Sequence, residues 1–500
     1  MVTFYKFPRE HSKHLRTTNP IESPFAAVRV RTTAAKPYKK AENATAVIWK
    51  TLMIAQRQFR RLDAPQLLAV VAILSFGSLI GCGASGSDGG RSSLTGSNLT
   101  IGTNIQISPL GNSVDRLVSL GDRSIAVLDK DVYIVWADDI TGDYDIYLSM
   151  GSDRGRIFDP PFVVNDVTAG EQRSPEVAVD TQGNIYVVWE DNRSGDGGSD
   201  FELYFTKGTR QPSGGFSFSK NILVNDDADQ VNTTRDHSNP SIAVDANGNI
   251  YIAWEDPRNL TPETDIFFAK GTSGSDGTIT FSKNQRVNHN LAGISDYGDP
   301  SIAVDAQGGI YVAWAAFNTH SHIYMAKGIE RNGEISFQDE VKISADESRI
   351  PLFPSVAVDR QNNIYVAWED FPEAKQDADI YLAKSMDGGQ SFGPNVNVSD
   401  APGDQFSPSL SVAREGHVYI AWEDYRNGDV DPDIYLARST NSGDSFGVPS
   451  RVNDDTATVA QYSPSLALDP TGRAFLVWFD ERNTCVNSTC PYALYFAVGE

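Results

Sequence analysis

Seven tryptophans recur at nearly regular intervals through the last four hundred residues of this 500-residue chain. They stand at positions 136, 189, 254, 314, 368, 422 and 478, separated by 53 to 65 residues. Each lies in the same pattern, which in the copy from Phe353 to Asp400 reads FPSVAVD, NIYVAWED, DIYLAKS and VNVSD in succession. A fixed period of this length is typical of repeat architectures, in which each unit packs on the next.

Each copy predicts four β-strands. In the same copy these are Ser355 to Asp359, Ile364 to Trp368, Asp379 to Lys384 and Asn395 to Ser399, which alternate apolar and polar residues or are rich in β-branched and aromatic ones. One four-stranded sheet cannot bury both of its faces, but seven packed radially can. The sequence therefore predicts an all-β fold, a seven-bladed β-propeller of four-stranded antiparallel blades over residues 104 to 500.

The two ends of the repeat region predict how the ring closes. The seventh copy stops after ALYFAVGE, its third strand, whereas NIQIS at Asn104 to Ser108 resembles the fourth strand NVNVS of another copy. We expect this N-terminal strand to pair beside residues 493 to 498 and complete the last blade, which leaves no open edge.

The N-terminal region has the pattern of a signal peptide. Leu67 to Leu79 is an apolar run of thirteen residues preceded by Arg57, Arg60 and Arg61, too short for a membrane span. The sequence LIGC that ends at Cys82 resembles the lipobox of bacterial lipoproteins, in which the cysteine is lipidated. That resemblance implies an exported, lipid-anchored protein of the bacterial cell envelope. Gly83 after the cysteine favours outer-membrane sorting, with the propeller periplasmic or surface-exposed.

These features divide the chain into four parts. We expect Met53 to be the true start, with residues 1 to 52 a misannotated or disordered extension and 53 to 81 the signal peptide, because a signal normally begins within thirty residues of its core. Residues 82 to 103 are a Gly/Ser-rich tether and 104 to 500 the propeller.

The net charge limits the classes of partner, and the spacing of two cysteines indicates a disulfide. The chain carries a net charge of −23, and residues 82 to 500 hold 29 basic and 61 acidic side chains. Such a surface repels phosphate backbones and anionic headgroups, so no nucleic-acid partner is predicted, and membrane contact is expected through the lipid alone. Cys485 and Cys490 stand five apart in one loop, which favours a disulfide over two free thiols in an exported protein.

The glycine-rich turns carry a family resemblance. Ser385 to Phe392 reads SMDGGQSF, which resembles the Asp-box, the bacterial neuraminidase repeat of sialidase-like propellers. Ser439 to Phe446 is a near copy with Asn for Asp, and Gly151 to Phe158 keeps Asp153, Gly155 and Phe158. In such a turn the Asp or Asn side chain accepts backbone N–H bonds and the glycine takes a positive φ. The resemblance implies a sialidase-like fold, with these turns on the side away from the ligand site.

A sialidase-like activity would need more than the turns. The resemblance implies three arginines that clamp a carboxylate, a Tyr–Glu nucleophilic pair and an acidic Asp. The RIP sequence at Arg349 stands between the fourth and fifth blades rather than at the start of the first, so it is not assigned to a clamp. The near-identity of the blades also argues against a site that needs residues unique to particular blades.

Charged residues that follow each repeat tryptophan are the candidates for a ligand face. They could ring a channel mouth and bind sugars or cations, or they could be structural ion pairs, in which Arg193 meets Glu202, Arg258 meets Asp265 and Arg426 meets Asp433. The joint loss of both partners in the fourth blade favours the structural alternative. The candidates are Glu190, Asp191, Arg193, Glu255, Asp256, Arg258, Glu369, Asp370, Glu423, Asp424, Arg426, Asp480 and Arg482.

No metal or other cofactor is predicted, although two patterns were weighed. His237, His289, His320 and His322 map to one sector of one face, a composition that a transition metal could use. Asp429, Asp431 and Asp433 alternate in a manner that suits Ca²⁺, but the usual glycine and terminal glutamate are missing.

Variable loops on a constant framework are typical of binding proteins. The sequence thus favours an exported, lipid-anchored, non-catalytic binding or scaffold module for a glycan or protein ligand. The alternative is a sialidase-like glycoside hydrolase of the exo-α-sialidase type. The sequence names neither the ligand, the membrane leaflet nor the oligomeric state.

Overall fold

A computed structural model describes most of residues 99 to 500. The described residues are 99–108, 118–119, 123–139, 143–193, 201–211, 215–227, 236–259, 264–289, 294, 296–317, 321–345, 348–372, 377–428, 431–456, 459–483 and 492–500. The signal segment, Cys82, Cys485, Cys490, His320 and Asp429 lie outside them. Within the described ranges no helix has the length and apolarity required to cross a bilayer.

Seven antiparallel sheets follow one another along the chain and form the blades of a β-propeller, so the predicted fold class is confirmed. The first three blades contain β2 (Val118–Ser119), β3 (Ile125–Leu128), β4 (Asp131–Asp138), β5 (Asp145–Ser152), β6 (Ile157–Phe158) and β7 (Phe162–Val163); β8 (Gln172–Val179), β9 (Ile185–Asp191), β10 (Glu202–Arg210), β11 (Phe216–Phe218) and β12 (Ile222–Leu223); and β13 (Ser238–Val244), β14 (Ile250–Asp256), β15 (Asp265–Ser273), β16 (Ile279–Phe281) and β17 (Gln285–Arg286).

The remaining four blades repeat this arrangement. They contain β18 (Asp296–Val304), β19 (Ile310–Phe317), β20 (Ser321–Arg331), β21 (Glu334–Phe337) and β22 (Val341–Lys342); β23 (Arg349–Val358), β24 (Ile364–Pro372), β25 (Asp379–Ser385) and β26 (Val396–Asn397); β27 (Gln405–Val412), β28 (Val418–Asp424), β29 (Asp433–Ser439) and β30 (Ser450–Arg451); and β31 (Gln461–Leu468), β32 (Ala474–Asp480) and β33 (Ala493–Gly499), with β1 (Ile105–Gln106).

The fourth, outermost strand of each blade is shorter than predicted. In the first four blades it is split into two short pieces that pair with the same third strand, as β11 and β12 do with β10. In the fifth blade only Val396–Asn397 remains of the strand expected over Asn395 to Ser399. The outer edge is therefore discontinuous, which makes it a poor template for pairing with another chain.

The ring closes as the sequence predicted. Strand β1 pairs antiparallel with β33, with Ile105 opposite Phe496 and Gln106 opposite Tyr495. Ile101 forms an additional bridge to Gly499. The last blade is thus assembled from both ends of the propeller.

The hydrophobic core consists of clusters shared between neighbouring blades. All seven repeat tryptophans are fully buried, and each cluster combines one of them with side chains of an adjacent blade. In one cluster Trp422 of the sixth blade packs with Tyr365 and Leu382 of the fifth. The repeat tryptophans thus pack between neighbouring blades.

The first strand of most blades contains a bulge that shapes one end of the propeller. In the sixth blade the register shifts between Phe406 and Ser409, and Ser407 takes a φ of 52° ahead of a proline. We call the end of the propeller that holds these bulges, and at which second strands end and third strands begin, the loop face. The glycine-rich turns lie at the opposite end, which we call the turn face.

Candidate functional site

In most blades an aspartate at or near the end of the second strand binds the repeat tryptophan. In six blades the indole Nε1 donates to the Oδ2 of the aspartate two residues later, over 2.7 to 3.2 Å. These acceptors are Asp138, Asp191, Asp256, Asp370, Asp424 and Asp480. The fourth blade has Ala316 in this place, and the buried Nε1 of Trp314 has no hydrogen-bond partner. The aspartate therefore satisfies a donor that the core would otherwise leave unpaired.

An arginine neutralises this aspartate in four blades. Arg193, Arg258, Arg426 and Arg482 each place Nη2 2.6 to 2.7 Å from the Oδ2 of the aspartate two residues earlier. Each guanidinium also lies 3.8 to 4.3 Å from the ring centre of an aromatic residue of the third strand. The planar, weakly hydrated guanidinium suits this stacked position.

The expected partners of these arginines were wrong. Arg193, Arg258 and Arg426 were predicted to meet Glu202, Asp265 and Asp433 across the hairpin, but their ion pairs are to other carboxylates. Stacking on the third-strand ring turns each guanidinium back towards its own strand. There the buried aspartate needs a counter-charge, so the pair forms within one strand end.

Arg349 also pairs with an aspartate and stacks on an aromatic ring, but it does so from the first strand of its blade. It begins the first strand of the fifth blade, a blade that has no arginine two residues after Asp370. Its Nε lies 3.3 Å from Asp370 Oδ1, its Nη2 lies 3.4 Å from Asp379 Oδ2, and its guanidinium lies 4.8 Å from the ring centre of Tyr381. The RIP arginine is thus held by contacts within the blade.

The glutamates of the repeat join neighbouring blades. A side-chain oxygen of each accepts the backbone N–H of the positive-φ residue in the first strand of the next blade, over 2.7 to 3.0 Å. The pairs are Glu190 with Asn239, Glu255 with Asp299, Glu369 with Ser407 and Glu423 with Ser463. Burial raises the pKa of Glu255 above its ordinary value, although the N–H bonds that it accepts oppose this shift. These contacts give the candidate residues a structural role, and ligand binding by them stays a prediction.

The described histidines of the predicted cluster, His237, His289 and His322, do not form one joint site. His237 lies beside Glu202 and Asp227, and these three are the only metal-competent group found among the described residues. The Nδ1 of His289 lies 2.6 Å from Glu340 Oε2, and the ring of His322 meets Tyr324 edge to face at 6.4 Å. Asp431 belongs to no such group.

Aromatic side chains form two contacting groups on the loop face of the last three blades. Phe371 stacks on Phe406 at 5.4 Å, Phe406 meets Tyr425 at 5.4 Å, and Tyr462 meets Tyr492 at 6.3 Å. All five are partly exposed. We call this set the aromatic arc.

Two carboxylates lie within the aromatic arc. Tyr492 donates a hydrogen bond to Glu481, and burial raises the pKa of Glu481 despite that bond. Burial also raises the pKa of Tyr462 well above its ordinary value, and the neighbouring Glu481, Tyr425, Tyr492 and Glu423 raise it further. The phenols are therefore neutral donors at all physiological pH values.

The sequence analysis did not identify the aromatic arc, which distinguishes the last three blades from the others. Phe406 and Tyr462 occupy the position next to the first residue of the bulged strands β27 and β31. The corresponding residues of the second to fifth blades are Arg173, Ser238, Gly298 and Leu352. The aromatic residues at this position could have been found by comparing the repeats in the sequence. The other blade-specific residues, Phe371, Tyr425 and Tyr492, stand outside the repeated motif.

The turn face shows the turn chemistry expected of the glycine-rich segments. Asp387 Oδ1 accepts the backbone N–H groups of Gln390 and Ser391 over 2.9 and 3.0 Å, and Asn441 Oδ1 accepts that of Ser445 over 3.1 Å. Hydrogen bonds from the side chains of Ser391 and Ser385 are the main cause that holds the pKa of Asp387 well below its usual range. Gly388, Gly389 and Gly443 take positive φ values.

Comparison with known sequences finds matches over short stretches of the chain. No family model matches the chain. A stretch of 71 residues, 14% of the chain, is 45% identical to the transposase for insertion sequence element IS6120 of Mycolicibacterium smegmatis, over 22% of that protein. The transposase for insertion sequence element IST2 of Acidithiobacillus ferrooxidans is 41% identical over 66 residues, again 22% of its length. The chain thus spans about a fifth of the length of the curated relatives that it matches.

Comparison with solved structures finds proteins of similar fold at low sequence identity. An ulvan lyase of polysaccharide lyase family PL25 superposes with a TM-score of 0.50 at 12% identity, covering 78% of this chain and 94% of that chain. A Hadza microbial sialidase gives a TM-score of 0.43 at 10% identity and covers 73% of each chain. At these identities the likeness to the ulvan lyase concerns the fold alone.

Proposed function

We propose that this protein is an exported, lipid-anchored propeller that binds glycans without chemical turnover, and that the aromatic arc is its binding surface. The observation that carries the proposal is the run of five partly exposed aromatic side chains across three blades. Large aromatic residues that are incompletely buried on one side of a symmetric scaffold point to a ligand.

The chemistry of the arc suits a sugar. The less polar face of a pyranose ring presents C–H groups, which pack on the negative face of an aromatic ring. The phenols of Tyr425, Tyr462 and Tyr492 and the carboxylate of Glu481 supply donors and acceptors for hydroxyl groups. A few polar groups among aromatic ones are typical of small-molecule sites.

The paired arginines of the loop face support binding rather than sialidase chemistry. A carboxylate clamp needs guanidinium groups that are free to form bidentate bonds with the substrate. Arg173 instead lies 2.6 Å from Glu190, and Arg349 contacts Asp370 and Asp379. Breaking such partly buried pairs to receive a substrate would leave carboxylates without a counter-charge.

A glycan array tests the proposal. The purified protein is expected to bind a subset of glycans, and the double variant Phe406→Ala/Tyr462→Ala to lose at least about tenfold in affinity, or ~1.4 kcal/mol. Ile157→Ala and Val448→Ala are the controls, because these two side chains are exposed at 64% and 77% on the turn face. Absence of glycan binding by the wild type, or equal binding by the double variant, would contradict the assignment.

A sialidase-like hydrolase is the second candidate, favoured by one contact. Tyr492 donates to Glu481, the kind of Tyr–Glu pair that the resemblance to sialidases implies. Incubation with a fluorogenic sialoside decides between the two functions. We expect no turnover; saturable hydrolysis that is lost in Tyr492→Phe would reverse the ranking.

Lipid anchoring is proposed from the sequence around Cys82. Expression of the wild type in a bacterial host is expected to place the protein in the membrane fraction, and Cys82→Ser to release it. Cys485→Ser serves as the control that keeps the lipidated thiol. A Cys82→Ser protein that stays with the membrane would argue against the anchor.

A further inference from the structure

The junction between the second and third blades has a histidine where three other blades have a glutamine. The bulged first strand begins with Gln172 in the second blade, Gln405 in the sixth and Gln461 in the seventh. Each glutamine Oε1 accepts a hydrogen bond from the preceding blade-to-blade connector. In the third blade this position is His237, which is 2% exposed.

The contacts of His237 direct one ring nitrogen at carboxylates. Its Nδ1 lies 3.1 Å from the backbone oxygen of Phe201 and 3.2 Å from Glu202 Oε2, so Nδ1 carries the proton. Nε2 then faces Asp227 Oδ1 at 3.0 Å. Nε2 of His237 and Oδ2 of Asp227 are both buried without a hydrogen-bond partner.

The charges at this junction leave room for a cation. The matching junction of the sixth and seventh blades holds Asp433 and Asp455, and Arg451 lies 2.8 Å from the first and 3.3 Å from the second. Arg451 pairs in register with Tyr435, as Leu223 does with Tyr204. The second-to-third junction therefore has a leucine where its counterpart has the balancing arginine.

Nearby groups add to the negative potential. Asp256 Oδ2 lies 3.5 Å from His237 Nε2 but is already bound by Trp254 and Arg258, and Arg258 Nη2 also lies 3.3 Å from Asp227 Oδ1. Glu202, Asp227 and Asp256 thus face one guanidinium, so the cluster keeps a net negative charge.

We propose that Glu202, Asp227 and His237 bind a divalent transition-metal ion of the Zn²⁺ class, which links the second blade to the third. Each residue offers one ligand atom, and these atoms lie within 4.8 Å of one another. Histidine nitrogen and carboxylate oxygen both bind Zn²⁺, and three protein ligands with an open fourth position are the arrangement of catalytic zinc sites. The Nδ1 contact with a backbone carbonyl is the second-shell bond that orients a metal-binding imidazole. Asn225, whose Nδ2 contacts both carboxylates, holds them in place.

Zinc titration of the purified, chelator-treated protein tests the site. The wild type is expected to bind one equivalent of Zn²⁺ and to melt at a higher temperature when loaded. His237→Gln is expected to weaken this binding more than about 100-fold, since loss of an outer-shell partner alone costs about 10- to 100-fold. The variant should still fold, because glutamine occupies the same position in three other blades.

Two further variants make the result specific. His289→Gln removes a histidine of the same face that pairs with Glu340, and it is expected to keep the bound equivalent. Asp227→Asn is expected to lose it. A wild type that binds no Zn²⁺, or a His237→Gln protein that binds as well as the wild type, would overturn the proposal, which is independent of glycan binding.

Discussion

The guanidinium of Arg349 lies 4.8 Å from the ring centre of Tyr381 and occupies, from the first strand, the place that an arginine of the second-strand end occupies in four other blades. The same Asp–Arg–aromatic arrangement is thus built from two different sequence positions. The blade conserves the contact rather than the motif, because a buried aspartate needs a counter-charge from whichever strand can provide it.

Loss of Arg349 is expected to destabilise the fifth blade. Arg349→Ala leaves Asp370, which is 4% exposed, without its guanidinium, and breaking a buried pair of this kind costs about 3 kcal/mol of unfolding free energy. Arg360→Ala, at an exposed position of the same blade, is expected to change stability by less than about 0.5 kcal/mol. Urea denaturation measures both. Equal stability of the two variants would contradict the pairing.

The hydrogen bond between Trp422 and Asp424 predicts that a Trp→Phe substitution costs more stability at Trp422 than at Trp314. Trp422→Phe removes a 2.7 Å hydrogen bond to a carboxylate, whereas Trp314→Phe removes an indole N–H that has no partner. Both changes remove similar packing. Trp422→Phe is therefore expected to cost about 2 kcal/mol more in unfolding free energy. Equal losses in thermal or urea unfolding would show that the bond contributes nothing.

Because the N-terminal strand closes the ring, we expect substitutions beside it to lower the stability of the protein strongly. Ile107 follows β1 and is 7% exposed in a cluster with Leu494 and Phe496 of β33. Ile107→Ala is expected to lower the unfolding free energy by about 2 to 5 kcal/mol through the cavity that it leaves. Thr103→Ala, on the exposed approach to the same strand, is the control. An Ile107→Ala protein that melts with the wild type would show that the closing strand adds little.

Glu481 predicts a pH dependence of stability. Its folded pKa is raised, chiefly by burial, above the ordinary value of 4.5, so the folded state holds a proton that the unfolded state has released. The protonated Glu481 therefore stabilises the folded state at low pH. This stabilisation is lost as pH rises from about 4.5 through the folded pKa. Glu481→Gln cannot ionise, so its stability relative to the wild type is expected to increase between pH 4 and pH 8.

A control separates this effect from a general change of charge. Glu415→Gln removes a negative charge at an exposed turn away from the arc. Its difference from the wild type should stay nearly constant over the same pH range. Parallel curves for Glu481→Gln and the wild type would place Glu481 outside the buried environment described above.

The candidate site was less accessible to sequence analysis than the fold. The repeated acids and arginines were recognised, but the partners of Arg193 and Arg258 were assigned to the wrong strand. Several carboxylates lie within reach of each arginine, and the stack on Tyr204 or Phe267 decides among them. The glutamates that join four of the blades to the next were not anticipated, since their acceptor role depends on a backbone N–H some forty residues away.

By itself, the sequence determined the number of blades, their strands and the closure of the ring. These depend on local alternation, on tryptophans at a regular period and on one spare strand, all of which can be read along the chain. Only the tertiary structure decided that Phe371, Phe406 and Tyr425 form one surface and that His237 faces Asp227. Such contacts join different blades or connectors, and their geometry is set by the radial packing of the sheets, which a repeated motif does not specify.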